Sequence, residues 1–399
     1  MPDLPTLNDS PPALQPTPRR DMSLPGLAAI VAAALIFGLM QHVNPNLCPN
    51  DDSRWDTIWS LVERHTYVID DAPWADTIDK VKRGDHFYSS KPPLLPTILA
   101  GEYWAIRKLT GKTMPDDMNF VARVILLTVN LVPLIIYVWL FGAFLARHVE
   151  NPWWRNYWLL AAAFGTYVTG YCVTLTNHTV GAFSALFALY PTVRVLYDDE
   201  PRPIYFALAG LFAAFTVTNE LPAAALGVAL FAILLCRFPK RTVLWFLPAA
   251  LVVTAAFLLT TYLSTGGFVP YYLMKQSSLY HYEGSYWNQP VGIDAAAEPK
   301  WLYLIHMTVG HHGIFSLSPI FIFTVVGIVV AFRRPRVWPG LMWIVVGVTA
   351  VCLGVYTVTT GNYGGVCQGL RWAFWLSPLW LMAAPLTAHI YGRSVCVKA

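Results

Sequence analysis

The chain is 399 residues long and 56% hydrophobic, with 14% aromatic residues and only 13% charged ones. Soluble domains carry about 25% charged residues, so a water-facing coat is missing, which excludes an ordinary soluble enzyme and a disordered chain. The 27 Lys and Arg against 23 Asp and Glu leave a scattered net charge of +4, which provides no phosphate-tracking surface and excludes a nucleic-acid partner.

In chain order, residues 1–23 hold Pro2, Pro5, Pro11, Pro12, Pro16 and Pro18 ahead of Arg19-Arg20 and read as a disordered cytoplasmic tail. The run 24–43 is long enough to cross a bilayer core of about 30 Å and reads as a signal-anchor span. Further apolar runs lie at 120–146, 157–175, 178–197, 203–219, 221–236, 242–263, 313–332, 338–358 and 372–391. The segment 92–109 opens Pro92-Pro93, contains Pro96, Gly101 and Glu102, and closes Arg107-Lys108. Lys and Arg accumulate in short cytoplasmic loops. If 92–109 stays outside, Arg147, Arg155, Arg194, Arg202, Arg237, Lys240, Arg241 and Arg333 all fall in the cytoplasm. Arg371 is then the lone basic residue of the short outer connections. The reading is an all-α polytopic membrane protein of about 10 transmembrane helices, with juxtamembrane helices in the first outer loop. Residues 24–391 form its transmembrane domain, 44–119 and 264–312 its long outer loops, and 392–399 a second cytoplasmic tail. Loops of such length are uncommon unless functional. Cys48, Cys172, Cys236, Cys352, Cys367 and Cys396 show no metal-ligand spacing.

The first outer loop begins Pro49-Asn50-Asp51-Asp52-Ser53-Arg54-Trp55. A carboxylate at a membrane surface can take a hydroxyl proton, and an arginine can hold phosphate through two parallel bonds. A plainer reading makes Asp52 or Ser53 the cap of a helix over 55–64. Trp55, Ile58, Trp59 and Val62 share one face of that helix, which then lies on the bilayer surface. Farther on, Tyr88-Ser89-Ser90-Lys91-Pro92 sets a cation and a phenol ahead of a proline-started helix.

Together, Asp51-Asp52-Ser53-Arg54-Trp55 and Tyr88-x-x-Lys91-Pro92 resemble the first outer loop of the GT-C membrane glycosyltransferases. The likeness points to the branch with the lipid A aminoarabinose transferase and protein O-mannosyltransferases. It is specific over about 30–110 and implies an interfacial helix at 92–109, where the charge count also put one. By that resemblance Asp51, with Asp52 beside it, is the catalytic carboxylate and Arg54 its neighbouring arginine. Tyr88 and Lys91 then contact the donor phosphate. Where the family carries a second acid after its third span, this chain reads Thr176-Asn177-His178-Thr179, leaving Asn177 or His178 as a neutral partner or ligand.

Three further groups fall on the same outer side. Glu220 stands between two apolar spans, where an unpaired carboxylate costs about 2.5–3.5 kcal/mol and so faces a polar cavity. His311-His312 closes the second long loop, where neighbouring histidines suit a phosphate or hydroxyl better than a metal. Gly361-Asn362-Tyr363-Gly364-Gly365 leads to Arg371-Trp372, and glycines let backbone approach a ligand. Tyr271, Tyr272, Tyr280, Tyr282, Tyr286, Trp287 and Trp301 crowd the second loop as belt anchors or sugar platforms.

The expected activity is inverting transfer of a sugar from a polyprenyl-phosphate donor to an acceptor hydroxyl or phosphate. The acceptor is a cell-envelope glycolipid, glycan or protein, and the setting is the outer face of a bacterial inner membrane. Arg54, Lys91, Arg371 and a histidine from 311–312 neutralise the leaving phosphate. A divalent cation (Mg or Mn), held by Asp51, is compatible with this chemistry but not required by it. The competing expectation is a transporter or flippase of a lipid-linked or anionic solute.

Overall fold

The computed structural model describes residues 23–42, 48–295, 297–333, 339–365 and 367–387. The expected tails, apart from Ser23, and the start of the first long loop lie outside the described residues. All five described cysteines are free thiols.

Helix α1 (Leu24–Leu39) starts on Ser23, whose Oγ accepts the Gly26 N–H at 3.3 Å. The first outer loop is built of α2 (Pro49–Glu63), the strands β1 (Lys80–Arg83) and β2 (His86–Ser89), and α3 (Leu94–Thr110). α4 (Met118–His148) follows, with a π turn at Leu127–Leu131, then α5 (Pro152–Phe164), α6 (Asn177–Leu196), α7 (Pro203–Asn219), α8 (Ala224–Arg237) and α9 (Pro239–Thr265). The second outer loop holds short 3-10 turns and α10 (Lys300–Thr308). α11 (Ile322–Arg333), α12 (Pro339–Thr359) and α13 (Ser377–Ala383) complete the described chain.

The chain is mostly helical, as expected, but the count of ten full spans is not supported. Among the described residues, four helices are long and apolar enough to cross a membrane, namely α4, α6, α9 and α12. Shorter apolar helices run Leu24–Leu39, Pro203–Asn219, Leu221–Arg237 and Pro319–Arg333. The run 157–175 breaks at Gly165 into turns and a 3-10 segment Thr169–Val173, where Thr169 Oγ1 donates to the Thr166 carbonyl at 3.0 Å. The run 372–391 begins as a 3-10 segment Arg371–Leu376 and continues into α13, with Trp375, Leu379, Met382 and Ala383 buried in protein. Apolar composition measures transfer out of water and does not distinguish lipid from protein core, which is why both runs read as spans.

α6 is the central helix, buried along nearly its whole length, and α7 packs on it and on α9. At the other end of α6 the expected cytoplasmic arginines share acids. Asp198 lies 3.2 Å from Arg194 and 3.1 Å from His148, and Glu200 lies 2.8 Å from both Arg194 and Arg202. The apolar face of α2 does not lie on a bilayer surface. Trp55, Ile58 and Val62 are buried in a second core with Leu95, Leu99 and Tyr103 of α3. Tyr103 donates to Glu63 at 2.8 Å and Arg107 pairs with Glu63 at 2.9 Å, locking α3 to the end of α2.

α7 and α9 touch closely at Gly210, where a Cβ would run into the Phe246 backbone. Overpacking of this kind costs about 1–3 kcal/mol. Gly210→Val is expected to lower the melting temperature in detergent accordingly, and an unchanged melting curve would show that the helices have room to part.

Candidate active site

The site starts from the first turn of α2. Cys48 is the extended N-cap residue and Pro49 the first helical residue, so the helix begins earlier than a cap at Asp52 or Ser53 allows. Asp51 and Asp52 therefore lie within the first turn, where the helix dipole favours negative charge. Both are buried, as are Ser53 and Arg54. Asp51 Oδ2 accepts the Leu175 N–H at 3.1 Å. Arg54 donates to the Asn50 carbonyl at 2.6 Å, to the Leu175 carbonyl at 3.4 Å and to the Asn177 side-chain oxygen.

Asn177 opens α6 behind the cap residue Thr176. Its Nδ2 donates to the Asn219 carbonyl at 2.7 Å and to Glu220 at 3.2 Å, while His178 Nδ1 contacts the same Glu220 oxygen. One relay thus joins Arg54, Asn177, Glu220 and His178, with Asp51 and Arg54 both bonded to the Leu175 backbone. Asn130 braces it from the π turn of α4, donating to the Thr174 carbonyl at 2.7 Å and accepting from Thr179 at 3.2 Å. π turns recur at functional sites.

The β-hairpin delivers the next cation. Lys91 Nζ lies 2.9 Å from Asp79 Oδ1. Ser53 ties α2 to the hairpin, with Oγ 2.7 Å from the Asp79 carbonyl and 2.6 Å from Ser89 Oγ. Strand alternation turns Tyr88 the other way, into a cluster with Tyr271 and Tyr280. There Arg83 donates to its hydroxyl at 3.2 Å and lies 4.7 Å over its ring. The resemblance put Tyr88 beside Lys91, but the structure does not bring them together.

Arg371 reaches the same chamber from the far end of the chain. It is 8% exposed, and its Nε has no hydrogen-bond partner among the described residues. Its charge acts on Asp51, Arg54, Asp79, Lys91 and Glu220. Gly364, at φ +100°, makes room for it, since a Cβ there would stand 3.0 Å from Arg371 Cγ.

Burial sets the protonation states. It raises Asp51 above the usual carboxylate range, with Arg54 and the Leu175 N–H opposing. It lifts Asp52 to about 7, helped by Asp51 and Asp79. Asp79 goes the other way, because Lys91, Arg371 and Arg54 together outweigh its burial. Burial brings Lys91 down to about 8 against the pull of Asp79, and pushes Glu220 well up. Asp56, one turn past Asp52, is raised to about 8 by burial although it accepts the Trp74 N–H at 2.9 Å.

His311 and His312 belong to a different cluster. His311 Nε2 is 3.0 Å from His306 Nδ1, which is 3.0 Å from Glu298 Oε2. Tyr363 donates to Glu298 at 2.5 Å, and the His312 ring stacks 4.4 Å from Tyr363. Among the described residues, Glu298, His306 and His311 form the grouping spaced to hold a metal ion, and Asp51 is not in it. At Asp51 itself the neighbouring charge is that of Arg54, which also bonds Asn177. Sequence reading missed Asp79, Asn130, Glu298 and His306.

The chain thus combines a buried acid–arginine helix start, the helix α3 beside it and a bundle of apolar helices. Among the solved structures to which the chain is similar are those of the oligosaccharyltransferase AglB from the archaeon Archaeoglobus fulgidus. Its complex with Zn and sulfate aligns over 92% of this chain at 14% identity, with a TM-score of 0.53. Its complex with an inhibitory peptide and a dolichol-phosphate aligns over 92% at 13% identity, with a TM-score of 0.49. The chain spans about half the length of these structures, 49% and 50% of them respectively. The likeness bears out the expected fold and does not single out the aminoarabinose or O-mannosyl branch. No protein-family model and no curated protein matches the sequence.

Asp56 generates a stability prediction. A carboxyl at about 8 in the folded chain and about 3.9 when unfolded holds an extra proton in the fold. Its stabilisation is fully present below about 3.9 and lost as pH rises through about 8. The melting temperature in detergent is expected to fall between pH 5 and 8, and Asp56→Asn to flatten that slope; an equally steep slope in the variant would remove Asp56 as the cause.

Proposed function

We propose that the chain is an inverting membrane glycosyltransferase that moves a sugar from a polyprenyl-phosphate donor to an acceptor hydroxyl or phosphate on the outer face of the membrane. The observation that carries this is the chamber itself. The buried carboxylate Asp51, the paired Lys91 and Arg371, whose Nε has no partner among the described residues, act on one another from three distant parts of the chain.

The acceptor oxygen attacks the anomeric carbon as the bond from that carbon to the phosphate oxygen breaks. Asp51 takes the acceptor proton, its raised pKa making it a stronger base than a solvated carboxylate. The departing polyprenyl phosphate carries its negative charge to Arg371 and Lys91. Fixed charges in a water-poor site usually supply the largest share of such catalysis. Arg54 keeps Asp51 oriented through the Asn177–Glu220 relay. Tyr88 takes no part at the phosphate and anchors the aromatic loop through Arg83 and Tyr271.

The arginine distribution supports an outer placement for this chamber, on a bacterial inner membrane. The shorter apolar helices cross a locally thinned bilayer, at modest cost. Domain limits of 24–391 with flanking tails belong to the same proposal. A transporter would need charges lining a path through its spans, whereas these groups gather on loops and helix starts.

Asp51→Asn, Lys91→Ala and Arg371→Ala, inserted at normal levels, are each expected to lower transfer of radiolabelled sugar from a polyprenyl-phosphate donor about 10²–10³-fold. Tyr88→Phe is expected to stay close to wild type. Wild-type transfer by Asp51→Asn and Arg371→Ala would remove the reading, and accumulation of label inside vesicles without an acceptor product would favour a transporter.

A further inference from the structure

Glu298, His306 and His311 stand outside the reaction chamber, yet their ligand atoms lie within 4.8 Å of one another. His306 Nδ1 is approached at 3.0 Å by both Glu298 Oε2 and His311 Nε2, and His311 Nε2 is 3.9 Å from Glu298 Oε1. A single N–H on His306 can serve only one of these neighbours, whereas a cation between them serves all three. Ligands bound tetrahedrally at about 2.0–2.1 Å from zinc stand about 3.3 Å apart. The observed separations of 3.0, 3.0 and 3.9 Å bracket that value.

The surroundings are those of a supported site. Tyr363 donates to Glu298 at 2.5 Å, and His312 contacts His311 through their Nδ1 atoms and stacks on Tyr363 at 4.4 Å. Partners of this kind orient metal ligands. The turn after α10 folds back over His306 at Gly310, where a Cβ would come within 2.6 Å of His306 Cα. His311 is exposed, so an ion has a way in and a fourth position stays open to water.

We propose that Glu298, His306 and His311 bind one divalent ion of the zinc class. Two imidazoles and one carboxylate suit zinc and disfavour Mg, which selects oxygen ligands. Through Tyr363 the ion holds the glycine loop that ends at Arg371. This second role rests on the function proposed above, whereas the binding itself does not.

The test uses the full chain in detergent, stripped with chelator and titrated with Zn²⁺ against a competing chromophoric chelator. Wild type is expected to take up one tightly held ion per chain, and Co²⁺ to give tetrahedral visible absorption. Exposed His311→Ala and the near-isosteric Glu298→Gln are each expected to lose that ion, while Asp51→Asn retains it. No stoichiometric uptake by wild type, wild-type uptake by both ligand variants, or loss of the ion in Asp51→Asn would overturn the site. Absence of sugar transfer in the same preparation would count against the proposed function and leave the binding result standing.

Discussion

Arg54 is a fully charged side chain placed where almost no water reaches, and the first outer loop is organised around that fact. A buried charge is costly unless it is hydrogen-bonded and compensated, and Arg54 has the Asn50 and Leu175 carbonyls and Asn177 as acceptors and the charge of Asp51 acting on it. Those partners belong to different segments. Satisfying Arg54 therefore fastens α2 to the start of α6, and it sets Asp51 against the Leu175 N–H. The relay continues because Asn177 has donors left over, which Asn219 and Glu220 accept. Glu220 in turn contacts His178. A charge buried for one purpose has thus recruited a row of neutral and protonatable groups across the bundle.

The remaining cations arrive by separate routes, each with its own support. Lys91 follows a two-stranded hairpin pinned to α2 through Ser53, and its charge is offset by Asp79. Arg371 follows a glycine-rich loop and keeps a buried Nε without a partner among the described residues. The resting site pairs Lys91 but leaves Arg371 Nε without a partner among the described residues, and the proposed phosphate-bearing donor would meet that group.

Much of this was legible before the structure. The pattern Asp51 to Trp55 with Lys91-Pro92 pointed to the fold, and the segment 92–109, with its opening prolines and closing basic residues, matches α3, which carries Arg107 and Lys108 in its last turn. The hairpin carried a signal that went unused. Its two-residue Gly84-Asp85 turn between short alternating strands is a strong hairpin motif, and it would have placed Asp79 near Lys91 and turned Tyr88 away. Asn130 and the Glu298–His306 contact carried no such signal, since each depends on a partner more than forty residues off or on a turn that folds back.

The sequence by itself determined that the chain is helical and rich in apolar runs and that its candidate site residues lie on loops and helix starts. Charge density and local motifs follow from composition and short-range spacing alone. Only the tertiary structure decided which apolar runs are lipid-facing helices and which are buried core, because hydrophobicity is the same in both. It alone also decided that His311 and His312 join Glu298 and Tyr363, while Asn177 joins Arg54. Side-chain partnership depends on where distant backbone segments cross, and that is fixed by packing.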